Sequence, residues 1–447
     1  MESQGSFFRT VCNLAIPVAL QSMLQASFSV IDQVMIGQLG SVSVAGVGLA
    51  GKFSSVYTVM VSAVGAAAGI MISQYLGQKN EREVQRSFSV NLTIALGLAG
   101  IFMLLCIAFP ARLMGFYTKD PDTRIAAAEY LKILAWTFLP AAGTTLLSTL
   151  LRCMEKAMLP LVASIAAAII NTGLNYVLIF GKFGMPSMGA KGAAIATVAA
   201  SAGNLLIMLL MYFKCKKELE VRESKDEKMG RFQWHQYLEM LLPILICEFL
   251  WSLGENIYAG IYGHLGTESC AAMTLINPIQ SLMIGALCGI SQAAGILVGK
   301  LLGNKEYEDA YQASKKLIRY AFFGSCILSV VIFLIRGFYV QIYQVEDTVK
   351  LLTEKILTAY ALIAPFKVLN MTLGGGIIRS GGKTNYIMVI DMTGTWLFGV
   401  PLGLLSAFVL ELSIPYVYFI LSLEECVRFG ISMAVFRKRK WMNSLKA

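Results

Sequence analysis

The sequence predicts an all-α integral membrane protein with twelve transmembrane helices in two pseudo-symmetric six-helix bundles, and three observations carry that prediction. The 447 residues are 56% apolar and only 14% charged, with a mean hydropathy of +0.65, too little polar material to coat a soluble protein of this size. The apolar stretches reach the roughly 20 residues that a helix needs to cross about 30 Å of hydrocarbon, and they lack the strict alternation of membrane barrel strands. The two halves also repeat. Pro17, Gly37, Leu39-Gly40, Ala67-Ala68-Gly69 and Leu76-Gly77 recur as Pro243, Gly263, Leu265-Gly266, Ala293-Ala294-Gly295 and Leu302-Gly303 at a constant offset of 226, and only the Asp32/Tyr258 pair changes type. Such spacing marks a duplicated bundle.

Charge and Gly/Pro punctuation places the first six spans near residues 12–38, 45–75, 88–110, 125–150, 159–181 and 191–213. The next six fall near 237–262, 270–299, 318–335, 350–375, 385–407 and 411–435. Met1 to Thr10 carries Glu2 and Arg9 without a small-residue cleavage pattern, so the first apolar run reads as a retained helix rather than a signal peptide. The division is an amino-terminal lobe, 1–213, a cytoplasmic linker, 214–236, a carboxy-terminal lobe, 237–436, and a cytoplasmic basic tail, 437–447.

Orientation follows from Lys and Arg. Arg9, the turn with Lys79, Arg82 and Arg86, the pairs Arg152/Lys156 and Arg379/Lys383, the linker, Lys300, Lys305 and the tail Arg437-Lys438-Arg439-Lys440 fall on one side of a twelve-span arrangement. That side is expected to be cytoplasmic, with both termini inside. The net charge of +10 is explained by the same asymmetry, since basic residues are stabilised beside an anionic leaflet. No zinc-finger spacing or aromatic basic sheet argues for nucleic acid. Nine scattered Cys without CxxC and only two His exclude a zinc enzyme or a disulfide framework, and no GxxxxGK[ST] loop supplies ATP chemistry. The chain reads as no enzyme and needs no cofactor.

Several runs resemble the multidrug and toxic compound extrusion (MATE) family: Pro17, Val30-Ile31-Asp32 with Gly37, Ser73-Gln74-Tyr75-Leu76-Gly77, and Arg379 followed by Gly381-Gly382-Lys383. Glu424-Glu425-Cys426-Val427-Arg428 resembles the family's acidic pair and arginine, with Glu in place of the usual first Asp. The resemblance spans nearly the whole chain. It implies a prokaryotic inner-membrane antiporter, expected as a functional monomer. H⁺ or Na⁺ would be its coupling ion, and amphipathic, often cationic, drugs its cargo. Alternative readings are a lipid-linked precursor flippase and, from a different class, a receptor or channel.

Asp32 is the strongest individual candidate. A carboxylate inside hydrocarbon needs water, a cation or a donor, so arrival of a proton or Na⁺ changes its energetics; the bland reading is an acid that caps or bonds a neighbouring helix. The resemblance places Asp32 at the first-helix acid implicated in ion coupling. Asn171 and Asn175, four apart, share one helix face and, with Gln21 and Thr172, are expected to complete a polar cavity, either as ion ligands or as helix-to-helix bonds. The family commonly carries Asp where this chain has Asn175. In the second half, Glu248 and Glu255 lie two helical turns apart; Glu255 is the preferred ion-coupling match, and either Glu is alternatively a structural partner of Lys367. Gln21, Tyr57, Glu248, Phe249, Tyr258 and Lys367 are the substrate-cavity candidates, with Phe53 a further aromatic and a Na⁺ expected near Asp32 or Glu255. Asp391 has no established role, Glu424/Glu425 with Arg428 read as a structural pair, and Arg152/Lys156 and Arg379/Lys383 read as repeated interfacial anchors.

Overall fold

The computed structural model describes residues 4–218, 233–343 and 345–446, and regular structure among them is helical throughout. In the first half the helices are α1 (Gln4–Gly37), α2 (Ser41–Gly77), α3 (Glu81–Ala108), α4 (Pro110–Gly115), α5 (Pro121–Leu134), α6 (Phe138–Cys153), α7 (Met158–Phe180) and α8 (Gly189–Glu218). The second half has α9 (Trp234–His264), α10 (Thr267–Gly303), α11 (Tyr307–Gln341), α12 (Asp347–Asn370), α13 (Asn385–Met392), α14 (Val400–Leu404), α15 (Ile414–Ser422) and α16 (Glu424–Arg437). Among the described residues, 11 helical stretches are long and apolar enough to cross a membrane. The expected last span, 411–435, is instead broken at Leu423 into α15 and α16, just before the buried acids Glu424 and Glu425. Most of the linker 214–236 lies outside the described residues.

Local signals set the helix ends. Asn80 accepts the Glu83 N–H at 3.2 Å to open α3, and Asp120, followed by Pro121 at the first helical position, accepts the Thr123 N–H at 3.0 Å to open α5. α7 stops where Gly181 turns left-handed, φ +65. In the tenth and eleventh spans the backbone widens into π-helical turns at Met371–Ile378, Thr393–Gly399 and Leu405–Val409. Widening misaligns carbonyls, and Ser291 from α10 donates to the Met371 carbonyl at 2.7 Å.

Two compact units result: the described residues of Met1–Ala19, Ser73–Lys79 and Gln233–Ala447, and those of Leu20–Ile72 and Asn80–Phe232. The second is packed through small residues, with Ala95, Ala99, Ala127 and Ala142 fully buried, as are Leu146 and Leu151, as expected where lipid removes the hydrophobic drive and close approach must supply the attraction. The first has an apolar centre built around Ile276, Ile356, Leu357, Tyr360 and Val417. Large apolar side chains such as Leu334 and Phe338, each 73% exposed, face outward, a surface that only lipid suits.

In the first unit the repeated glycines of α2 and α10 meet. Gly77 lies against the Lys300 carbonyl, Gly303 against the Gln74 carbonyl, and Gly299 against Ser73. The first two contacts are exchanged by the 226-residue offset, which takes Gly77 to Gly303 and Gln74 to Lys300, and the third joins Ser73 to its own counterpart. The basic tail is folded onto this place: Trp441 is fully buried, Leu445 is 5% exposed, and Gly381 leaves room only for the Trp441 carbonyl.

Candidate functional site

Each unit holds a polar centre, and each centre starts from the first helix of a repeat. In the second unit α1 presents Asp32 and α7 presents Asn171 and Asn175 from one face. Asn175, fully buried, donates from Nδ2 to Asp32 Oδ1 at 2.8 Å. The Asn171 amide faces the same carboxylate; with its nitrogen turned inward it donates to Oδ1 at 2.9 Å and to Oδ2 at 3.1 Å. Asn175 Oδ1 is buried with no hydrogen-bond partner among the described residues. A carboxylate and an unused amide oxygen are thus held side by side, and hard cations or protons bind such oxygens.

Gln21 lies 11 residues before Asp32 on α1, about 16 Å along a helix axis, and takes no part in that cluster. It donates to Ser164 Oγ at 2.7 Å and accepts from Arg152 at 2.7 Å. Thr172 Oγ1 is buried without a partner among the described residues. Tyr57 is 2% exposed, its hydroxyl donating to the Phe138 carbonyl at 2.6 Å and its ring 4.3 Å from that of Phe138. Both Gln21 and Tyr57 tie helices together.

The centre of the first unit is a cavity of about 370 Å³. α9 lines it with Glu255 and Tyr258, α12 with Tyr360 and Lys367, and the last two helices with Tyr418 and Glu424. Tyr258 stands where the repeat has Asp32 in the other half, and its hydroxyl donates to Glu424 Oε2 at 2.7 Å. The acid of the second half therefore arrives from α16. Glu425 accepts from Asn370 Nδ2 at 2.8 Å and pairs with Arg428 at 3.6 Å; Arg428 also binds Asp391, whose Oδ2 accepts from Cys247 Sγ at 2.8 Å. Glycines of the eleventh span make the space: Gly394 lies against the Arg428 side chain and Gly399 against the Tyr258 hydroxyl and the Glu424 carboxylate.

Of the sequence candidates in this half, Glu255, Tyr258 and Lys367 share the cavity. Glu248 does not line it; two turns from Glu255, it pairs with Arg379 at 3.6 Å, and Phe249 is 65% exposed. No ion pair joins Lys367 to either Glu among the described residues. The anchor reading of Arg152 and Arg379 is corrected: both turn inward, to Gln21 and to Glu248, because a basic residue on the last turn of a span reaches either the headgroups or a polar partner on the facing helix. The i,i+3 pair Glu425/Arg428 forms as the spacing suggests, whereas the wider network through Tyr258, Asp391 and Asn370 was missed; its visible signal was glycine in the eleventh span.

The MatE family model matches residues 17–177 and 243–405, one segment in each repeat. A probable multidrug resistance protein NorM from Thermotoga maritima is 24% identical over 439 residues, covering 97% of this chain and 93% of that protein. Another protein so named, from Agrobacterium fabrum, is 29% identical over 319 residues, 69% of this chain and 66% of its own length. A crystal structure of MATE in complex with MaL6 superposes with a TM-score of 0.88 at 16% identity, covering 96% of this chain and 95% of that one. The repeat, the helical spans and these matches agree: the chain belongs to the MATE family of membrane transporters.

Proposed function

We propose that the protein is a cation-coupled antiporter, driven by H⁺ or Na⁺, that exports amphipathic compounds by alternating access, with both termini cytoplasmic. The observation that carries the reading is Asp32, held inside a membrane span by the Asn175 amide at 2.8 Å beside the unpartnered Asn175 Oδ1. A proton or Na⁺ entering from outside neutralises that carboxylate and changes which helix packing is favoured; its departure inside restores the other. Ion and substrate need only bind the two orientations differently for one gradient to drive the other. The relatives' names, probable multidrug resistance proteins, support drugs as the cargo class. In the second half, Glu255 and the cavity beside it are the candidate place where cargo and ion meet.

The test is dye export from sealed vesicles carrying the reconstituted full chain, with pH and Na⁺ gradients imposed separately. Asp32→Asn is expected to abolish gradient-driven export and Glu255→Gln to reduce it at least about tenfold, a difference of about 1.4 kcal/mol in coupling. Undiminished ion-driven flux in both variants overturns the site assignment, and flux indifferent to either gradient overturns antiport.

A further inference from the structure

Residues 441–446 lie along the end of α2, and the two sides of this segment are held in different ways. Its apolar side chains are sunk among the carboxy-terminal helices. Trp441, with no exposed surface, stacks on Phe436 with ring centres 5.9 Å apart and donates from its indole nitrogen to the Phe436 carbonyl at 3.2 Å. Leu445, 5% exposed, lies over Gly382. Just before them, Arg439 pairs with Glu308 at 2.7 Å, and Lys383 donates to the Lys440 carbonyl at 3.3 Å. The side toward α2 offers backbone instead. Gln74 accepts the Leu445 N–H at 2.7 Å and donates to the Asn443 carbonyl at 3.2 Å. Tyr75 donates to the Lys446 carbonyl at 3.2 Å, and Gln78 to the Leu445 carbonyl at 2.8 Å.

The helix that receives these bonds is itself divided. As far as Ile72, α2 belongs to the second unit, whereas Ser73–Lys79 belongs to the first. A helix shared in this way carries any rearrangement of one unit to its captured end. The two attachments of the segment differ in what release costs. Hydrogen bonds to side-chain amides and a phenol are exchanged for bonds to water with little net loss, while withdrawing Trp441 and Leu445 exposes apolar surface that nothing replaces. We infer that residues 441–446 are a strap: anchored to the carboxy-terminal helices through Trp441 and Leu445, it holds the end of α2 through Gln74, Tyr75 and Gln78 in this state and lets that end go when the transporter reorients. The inference rests on the alternating-access reading and adds to it a device that sets how readily the cycle turns. The device is one-sided. At the 226-residue offset, Gln74, Tyr75 and Gln78 become Lys300, Leu301 and Asn304 in α10, of which only the last offers an amide.

The test locks the strap reversibly. Gln78 and Ser444 meet at their tips, amide nitrogen to hydroxyl at 3.4 Å, so Gln78→Cys and Ser444→Cys are within reach of a short bis-methanethiosulfonate that a reducing agent cleaves. The pair is placed in the otherwise native full chain and bridged before reconstitution. Bridging is expected to slow gradient-driven export of ethidium from sealed vesicles at least about tenfold, since a gate that cannot open sets the rate, and reduction to restore it. The parent chain and each single-cysteine variant, treated alike, should keep their export. A bridged protein that exports at the unbridged rate overturns the inference. Spin labels on the same two positions, in a chain whose nine native cysteines are changed to serine, read the strap in lipid nanodiscs without any transport. Dipolar broadening marks the closed strap; a second, unbroadened population is expected, its share changing with added Na⁺ or with pH. Labels that stay close under every condition, or are never close, overturn the inference. Export by the native chain separates its failure from failure of the antiport reading: export with a strap that never opens sinks only the former, and a strap that opens in a chain exporting under neither gradient sinks only the latter.

Discussion

Gln74, with no exposed surface, accepts the backbone N–H of Leu445 at 2.7 Å and donates to the Ser380 carbonyl at 2.7 Å. One amide thus joins the last turn of α2, the glycine turn after the tenth span and the chain's basic tail. Gln78 adds a bond to the Leu445 carbonyl at 2.8 Å, and Arg439 reaches Glu308 at 2.7 Å. Trp441, fully buried, stacks on Phe436 and lies against Gly381. Trp441→Ala is expected to destabilise the full chain by about 3–5 kcal/mol, the cost of emptying a large aromatic site. Gln74→Ala should cost about 1–3 kcal/mol for the backbone groups left unsatisfied. Arg439→Ala, on the exposed rim, should cost least. Thermal unfolding in detergent ranks the three, and a neutral Trp441→Ala would mean that the tail is not part of the folded unit.

The α2–α10 crossing makes a sharper test because backbone meets backbone there. A Cβ on Gly77 or Gly303 runs into a main-chain carbonyl of the facing helix, whereas one on Gly97 in α3 meets nothing within 4 Å. Gly77→Ala and Gly303→Ala are each expected to lose about 1–3 kcal/mol by forcing the helices apart. Gly97→Ala should be neutral or gain up to about 1 kcal/mol through reduced backbone freedom. Equal behaviour of all three in denaturation would contradict the close crossing.

Much of this is legible in the sequence. Apolar length gave the spans, and the 226-residue offset named the glycines that meet. The four-residue spacing of Asn171 and Asn175 put both amides on the Asp32 side of α7. What stayed hidden depended on which helix faces which. Nothing local distinguishes an Arg that snorkels to headgroups from one that turns inward, so Arg152 and Arg379 looked like anchors. Tyr258, the position where the repeat changes residue type and a substrate-cavity candidate, is the donor that holds an acid from 166 residues further along the chain. The break at Leu423 escaped notice because no Gly or Pro marks it.

Arg428 and Asp391 are the charged joint of the buried network, with side chains only 13% and 21% exposed. Arg428→Met leaves two carboxylates without their cation, and the expected loss is about 3–5 kcal/mol. Asp391→Asn alone should be milder, since Arg428 keeps Glu425 at 3.6 Å. The double variant should fall well short of the sum of the two, because both substitutions break one joint. Additive losses in a double-mutant cycle would show that the two side chains act independently.

The two inward arginines offer a comparison between the repeats themselves. Arg152 bonds Gln21 at 2.7 Å, and 227 residues further along each helix Arg379 pairs with Glu248 at 3.6 Å. The same clamp joins the first helix of a half to the end of its fourth, once through a neutral amide and once through a carboxylate. Removing the cation is therefore not equivalent in the two places. Arg152→Met strands a neutral acceptor, worth about 1–3 kcal/mol. Arg379→Met strands a charge whose side chain is 32% exposed, which costs more than the amide, yet less than a fully buried ion because water still reaches it. Glu248→Gln in the Arg379→Met background should restore most of the loss by making the second half resemble the first, while Gln21→Glu in the Arg152→Met background should deepen it. Unfolding midpoints for these four proteins check the argument; a Glu248→Gln change that fails to rescue would mean that the carboxylate draws its stability from another partner.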